Sequence, residues 1–288
     1  MPTAKLIHAL ATHAGRLRSR NEDAAAAAPG LGAYVVCDGM GGAAGGEVAS
    51  RLAIDSFLGR IRASDPEAES QGEPDGERAR AYGAQAKPQT RLHAAVHAAN
   101  QAIFGMSERD PQLAGMGTTM VALLHVAGPE KDRRSSPRGP KPDFVPPPTL
   151  FLANVGDSRC YRRRGGELLQ LSTDHSFVEE QVLAGQITAD QAATSPMRNY
   201  ITRAIGPQTH VEPDIQPYRP QGGDLYLLAS DGLTRELTNG EIAEILRRLV
   251  PTPEPTPHDL QSACHELICA ANQNGGRDNI TVLLLALL

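Results

Sequence analysis

The sequence predicts an α+β fold in which sheets pack on one another with amphipathic helices outside, rather than an alternating parallel arrangement. Three observations predict it. Short apolar runs suited to strands recur along the 288 residues, several with no helix between successive members, so antiparallel pairing is the natural connection. Other segments carry one-sided apolar spacing of helical period. With 40% hydrophobic residues, 4% aromatics and no Trp, the core must be filled by Leu, Val, Ile and Ala.

Near the start, Arg18, Asn21, Glu22 and Asp23 form a polar knot between the Thr12 region and an alanine run, which alone reads as a solvated face. Ala33 to Cys37 predicts a strand, and the glycine-rich stretch after it precedes a helix. Leu92, Val96, Ala99 and Ile103, after Thr90, predict a one-sided helix. Met120 to His125, Leu150 to Val155, Leu225 to Ala229 and Ile280 to Leu287 predict further strands. Capping-box spacing marks two helix starts, Thr188 with Gln191 and Thr238 with Glu241, the second ahead of Ile242, Ile245, Leu246 and Leu249. Pro251 to Pro257 predicts an extended link. Leu260, Ala263, Cys264, Leu267, Ile268 and Ala271 predict a last helix, stopped by Gly275 and Gly276. Flexible insertions are expected at about 63–88 and 127–148, where little is available to bury. Length alone allows one domain with insertions or two small ones.

The net charge of −5 and the scattered arginines give no nucleic-acid footprint. Cys37, Cys160, Cys264 and Cys269 lack zinc-site spacing and read as reduced core residues. No apolar run is long enough to span a bilayer, so a cytoplasmic location away from membranes is expected.

The placement of acids carries the chemistry. Asp38, Asp157 and Asp231 each follow a buried strand, and Asp278 stands just before the last one. Asp38-Gly39 and Asp231-Gly232 add a glycine that permits a tight turn and exposes a main-chain carbonyl, another hard oxygen ligand. A single Asp-Gly is ordinarily a turn, but several acids so placed need another account. Like charges about 4 Å apart repel by roughly 4 kcal/mol at an effective dielectric of 20, so the cluster requires positive charge. Two divalent ions would supply it, and all-oxygen donors favour magnesium or manganese over zinc.

Taken together, Arg18-x-x-Asn21-Glu22-Asp23, Asp38-Gly39-Met40-Gly41-Gly42, Gly117-Thr118-Thr119, Asn154-Val155-Gly156-Asp157-Ser158-Arg159, Ser230-Asp231-Gly232-Leu233 and Arg277-Asp278-Asn279-Ile280-Thr281 resemble the protein phosphatase 2C family of metal-dependent Ser/Thr phosphatases, in its bacterial stand-alone form. The resemblance implies one catalytic domain over 1–288, built as a four-layer α-β-β-α sandwich of two antiparallel sheets with the metal site in the cleft between them. It implies that Asp38 bridges two Mn2+ or Mg2+ ions, that the Gly39 carbonyl binds one of them, and that Asp231 and Asp278 complete the other. Glu22 and Asp23 would hold metal-bound waters, and Asp157 would join Asp231 around a weaker third ion. Arg18 is then the candidate to grip phosphate, because its planar fork donates two parallel hydrogen bonds. The implied reaction is in-line attack by a hydroxide shared between the two ions on phosphoserine or phosphothreonine. A monomer acting on phosphorylated proteins is expected, among them a Ser/Thr kinase and its substrates.

Two positions depart from the family pattern: His13 stands where Asp is usual, and Met40 where eukaryotic members carry His. His13 is expected to affect local anchoring rather than chemistry, and Met40 leaves the leaving oxygen to be protonated by water. The segment 174–206 corresponds in the family to a flap beside the cleft; His175 within it is expected to be a structural hydrogen-bonding residue. A dinucleotide-binding reading of Gly39 to Gly45 fails because Asp38 would repel a pyrophosphate. A thiolate phosphatase fails because no Cys has an Arg six positions later. A pseudophosphatase that only binds phosphoproteins is the non-enzyme alternative, disfavoured by the intact acids. His93-x-x-x-His97 lacks a metalloprotease Glu and reads as surface or core packing.

Overall fold

A computed structural model describes residues 6–41, 45–64, 87–126 and 149–288. The insertions expected at about 63–88 and 127–148 fall for the most part outside the described residues.

The described elements run β1 (Leu6–His13), β2 (Asp23–Ala28), β3 (Ala33–Met40), α1 (Gly45–Ala63), α2 (Pro88–Ser107), β4 (Gly117–Thr118), β5 (Met120–Val126), β6 (Thr149–Val155), β7 (Arg159–Arg164), β8 (Glu167–Gln170), α3 (Phe177–Leu183), α4 (Ala189–Thr194), β9 (Asp214–Tyr218), β10 (Leu225–Ala229), the short turn α5 (Asp231–Thr234), α6 (Asn239–Leu249), α7 (Pro257–Gln273) and β11 (Ile280–Leu287). One sheet has the order β1-β11-β10-β7-β8, the other β2-β3-β5-β6-β9 with β4 beside β3. Every described pairing is antiparallel.

Side-chain alternation divides the core into three sandwiched layers. In β3, Tyr34 and Val36, with Val121 and Leu123 of neighbouring β5, face the other sheet and pack there with Tyr226, Leu228 and Leu283. Its alternate residues Val35 and Cys37 face outward and pack with Phe57, Leu92 and Val96 of α1 and α2. In β11, Val282 and Leu284 turn to α6 and α7 while Leu283 and Leu285 turn to the sheet interface. A strand covered on both faces must read as a continuous apolar run, and β11 does. Burial of each such Leu or Val contributes about 1.5–3 kcal/mol, so the interface of the two sheets holds the frame.

The helix ends follow their capping chemistry. Thr188 and Thr238 close full capping boxes with Gln191 and Glu241, as their spacing predicts, and Thr256 does the same with Asp259. Pro251 to Pro257 links α6 to α7. One cysteine departs from expectation: Cys37, Cys160 and Cys264 are buried and Cys269 is exposed, because it lies on the solvent side of α7; all four are free.

Candidate metal centre

The acids are collected at one end of the sandwich by the register of its strands. Asp23 opens β2 and sits opposite Asp38 of β3. The Asp38 main chain is clamped by Thr118 and Thr119: its N–H donates to Thr119 Oγ1 (3.1 Å), and its carbonyl accepts from Thr118 Oγ1 (2.8 Å) and Thr119 N–H (2.9 Å). Asp157 follows β6 through Gly156, whose φ of 102° and close packing on Thr119 admit no side chain. Asp231 follows β10 from the other sheet. Asp278 precedes β11, with the Asn279 N–H bonded to its Oδ1 at 2.9 Å.

Gly39 lies where a Cβ would come within 2.1 Å of the Gly46 carbonyl oxygen and 2.5 Å of that of Glu22. A Cβ on Gly46 would meet Glu22 Oε2 at 2.4 Å. Both glycines therefore permit the close approach that brings Glu22 against the end of β3. Arg18, half-exposed, donates to Asp278 Oδ2 at 2.9 Å. The eight residues singled out from the sequence thus occupy one end of the fold.

The charge balance there is unusual. Burial, and then the neighbouring carboxylates of Asp23, Asp231, Asp157 and Asp278, push the Asp38 pKa well above the ordinary carboxylate range. Burial and Asp157 push Asp231 up to about 8, and burial raises Asp23 to about 6. Burial raises Asp157 as well, against the pull of Arg235. Three carboxylates use one oxygen within the protein and leave the other buried without a partner. Asp23 Oδ2 accepts from Ser230 Oγ at 2.7 Å, and Oδ2 of Asp157 and of Asp231 pair with Arg235, while Oδ1 of all three is unpartnered. Buried unpaired carboxylate oxygens of like charge are costly unless a cation joins them, and hard oxygen donors of this kind fit magnesium or manganese. As they stand, no three His, Cys, Asp or Glu side chains among the described residues close around a single point. The Arg235 guanidinium stands among three of the acids instead.

The cleft above the acids has a volume of about 570 Å³ and is lined by Arg18, Asp157, Asp231, Arg235 and Asp278 on one side and by residues of α3 and α4 on the other. Those two helices belong to the 174–206 segment, which is fastened at both ends. Arg159 pairs with the buried Asp174 in a fork (Nε to Oδ1 3.0 Å, Nη2 to Oδ2 2.7 Å), and Gly206 N–H donates to Asn100 Oδ1 at 2.8 Å. His175 is structural, as expected: its Nδ1 accepts the Gly156 N–H at 3.0 Å and its Nε2 faces Asp214 at 3.2 Å. His13 accepts the Gly15 N–H at 2.9 Å, a local turn contact. His93 and His97 do not line the cleft; His93 meets Glu212 at 3.3 Å and the His97 ring lies against His210.

Sequence reasoning missed two residues. Asn279 is buried and donates through Nδ2 to the carbonyls of Ala14 (3.0 Å) and Arg20 (2.8 Å), while its Oδ1 accepts from Glu22 N–H (2.8 Å). An uncharged amide inside an Arg-Asp-Asn-Ile run was the available signal. Arg235 was signalled only by its i+4 spacing from Asp231 at a helix start.

Residues 13–267 match the family described as protein phosphatase 2C. The chain is 34% identical over 282 residues to the serine/threonine protein phosphatase PstP of Mycobacterium tuberculosis, covering 98% of this chain and 45% of that protein. The chain therefore spans about half the length of that relative. It is 32% identical over 277 residues to the serine/threonine phosphatase stp of Listeria monocytogenes, covering 95% of this chain and 93% of that one. Its fold is similar to a crystal structure of the PstP catalytic domain in complex with two manganese ions, with a TM-score of 0.75, 31% identity, and coverage of 99% of this chain and 100% of that one.

Proposed function

Because the chain belongs to the protein phosphatase 2C family, we propose that it hydrolyses phosphoserine and phosphothreonine esters of proteins with two manganese or magnesium ions held by Asp38, the Gly39 carbonyl, Asp231 and Asp278. The observation that carries this reading is that buried Asp23, Asp157 and Asp231 each leave one carboxylate oxygen unpartnered, the last two lining an open cleft with Arg18 and Asp278. The two manganese ions of the similar PstP domain support the choice of metal. Glu22 and Asp23 would order water around the ions, and Asp157 with Asp231 would share a weaker third.

When bound, the ions supply the Lewis acidity that makes water nucleophilic near neutral pH. The chain's own residues do the rest. Arg18, held by Asp278, presents its guanidinium to the phosphate oxygens and orients the ester for in-line displacement. The anchored helices α3 and α4 form the far wall, where the peptide around the phosphorylated residue would lie. Met40 cannot donate a proton, and no histidine lines the cleft among the described residues, so the leaving alkoxide takes its proton from water. The partners are phosphorylated proteins, among them a Ser/Thr kinase and its targets, and the acting unit is a monomer. None of the described helices is long and apolar enough to cross a membrane.

The test is hydrolysis of a phenyl phosphate ester and of a phosphothreonine peptide with manganese, with chelator, and by Asp231→Ala. Chelator should abolish turnover, and Asp231→Ala should lower kcat by about 100-fold or more, the scale of losing a principal electrostatic stabiliser. Turnover indifferent to chelator would remove the metal reading.

A further inference from the structure

Arg235 is a cation set within the acidic cluster, while Arg18 pairs with Asp278 at its edge. Arg235 lies one helical turn after Asp231, and its N–H donates to the Asp231 carbonyl at 2.8 Å, so its main chain is fixed beside the site. Its guanidinium makes an ion pair with Asp231 Oδ2 and stands 3.3 Å from Asp157 Oδ2 and 3.8 Å from Asp278 Oδ2. The side chain is 30% exposed, on the cleft wall. A single planar cation thereby touches three carboxylates contributed by both sheets. One positive charge cannot satisfy them all: Oδ1 of Asp157 and of Asp231 remains buried without a partner.

We infer that Arg235 is an internal counter-cation, which holds the carboxylates together before metal loading and has to leave the Asp157–Asp231 pair before that pair can take an ion. This rests on the metal reading proposed above and assigns a regulator to it. A divalent ion and a guanidinium compete for the same carboxylate oxygens. Arg235 therefore weakens the outermost ion position while sparing the metal-free chain the repulsion of a bare acid cluster. The cleft of about 570 Å³ that Arg235 lines gives the long side chain room to swing aside without movement of its main chain. Lysine would keep the charge but lose the fork, because an ammonium is a single point that cannot span carboxylates from two sheets.

The experiment titrates manganese into the full chain, stripped of metal, as wild type, Arg235→Ala and Arg235→Lys, read by calorimetry and by the spin resonance of free manganese, with melting temperatures in chelator alongside. The weakest manganese step should tighten at least ten-fold in Arg235→Ala, with Arg235→Lys between the two. In chelator Arg235→Ala should melt below wild type, and its rise on adding manganese should be the larger. If Arg235→Ala does not survive stripping, Arg235→Gln purified with manganese and assayed by chelator competition gives the same comparison. Unchanged affinities in proteins that do take up manganese would overturn the inference and leave the proposed function standing. Arg235→Lys matching wild type would also overturn it, because charge at a distance would then suffice. Uptake by none of the proteins would sink the metal reading itself.

Discussion

Asn279 fastens the connection between β1 and β2 to the start of β11 through one amide. Its Nδ2 holds the carbonyls of Ala14 and Arg20, and its Oδ1 holds the main chain of Glu22. Asn279→Ala would leave buried main-chain groups without partners, and each unsatisfied group costs about 1–3 kcal/mol. Urea denaturation should show a loss of about 2–4 kcal/mol, with manganese affinity falling as Glu22 loses its setting. Little change in the urea midpoint would mean that water replaces the amide. At this scale much of the site was legible in the sequence, because an acid directly after or before an apolar run announces a strand-end carboxylate. Arg235 was hidden among many arginines. Its three partners come from positions 157, 231 and 278, and only the folded chain brings these together.

Strand β7 shows why some elements could not be read. Its sequence Arg159-Cys160-Tyr161-Arg162-Arg163-Arg164 looks like surface, yet it is the fourth strand of its sheet. Its arginines are committed to tertiary partners: Arg159 to Asp174, Arg163 to the Leu246 and Val250 carbonyls at the end of α6 (2.7 Å each), and Arg164 to Asp224. β1 and β2 escaped notice for other reasons, one carrying histidines and the other being mostly alanine, which has weak strand preference. The strands β3, β5, β6, β10 and β11 were legible because both faces are covered. The Arg164–Asp224 clasp, where β7 meets the start of β10, makes a pH prediction. Burial works to raise the Asp224 pKa, but the Arg164 fork, the Gln221 N–H and the Tyr226 hydroxyl outweigh it, and the net shift is downward. A depressed carboxylate contributes its full stability above the unfolded value of about 3.9 and loses it as pH falls through the lower folded value. Asp224→Asn should therefore melt below wild type at pH 7, with the gap closing as the pH is lowered through the acid range. A gap that persists undiminished in acid would assign the difference to packing.

The whole molecule places its acids where neither sheet alone could complete the site. Asp23, Asp38 and Asp157 come from the β2-β3-β5-β6-β9 sheet, and Asp231 and Asp278 from the edges of β10 and β11 in the other. The apolar layer between the sheets brings the two sets together and works against their repulsion. Leu228, wholly buried in that layer, should on replacement by Ala cost about 2–5 kcal/mol and weaken manganese binding at the same time. The acid facing the most like charges gives the sharper test. Asp38 is half-buried and faces the charges of Asp23, Asp231, Asp157 and Asp278, so without metal it opposes folding, and with metal it is proposed to serve as a ligand. Asp38→Asn keeps the shape and removes that charge. In chelator it should melt above wild type, whereas added manganese should stabilise wild type by about 2.7 kcal/mol at one hundred times its Kd and scarcely move the variant. The two melting curves should thus cross in rank as manganese is added. A variant less stable than wild type in chelator would mean that the Asp38 carboxyl contributes more through its local bonds than its neighbours' charges take away.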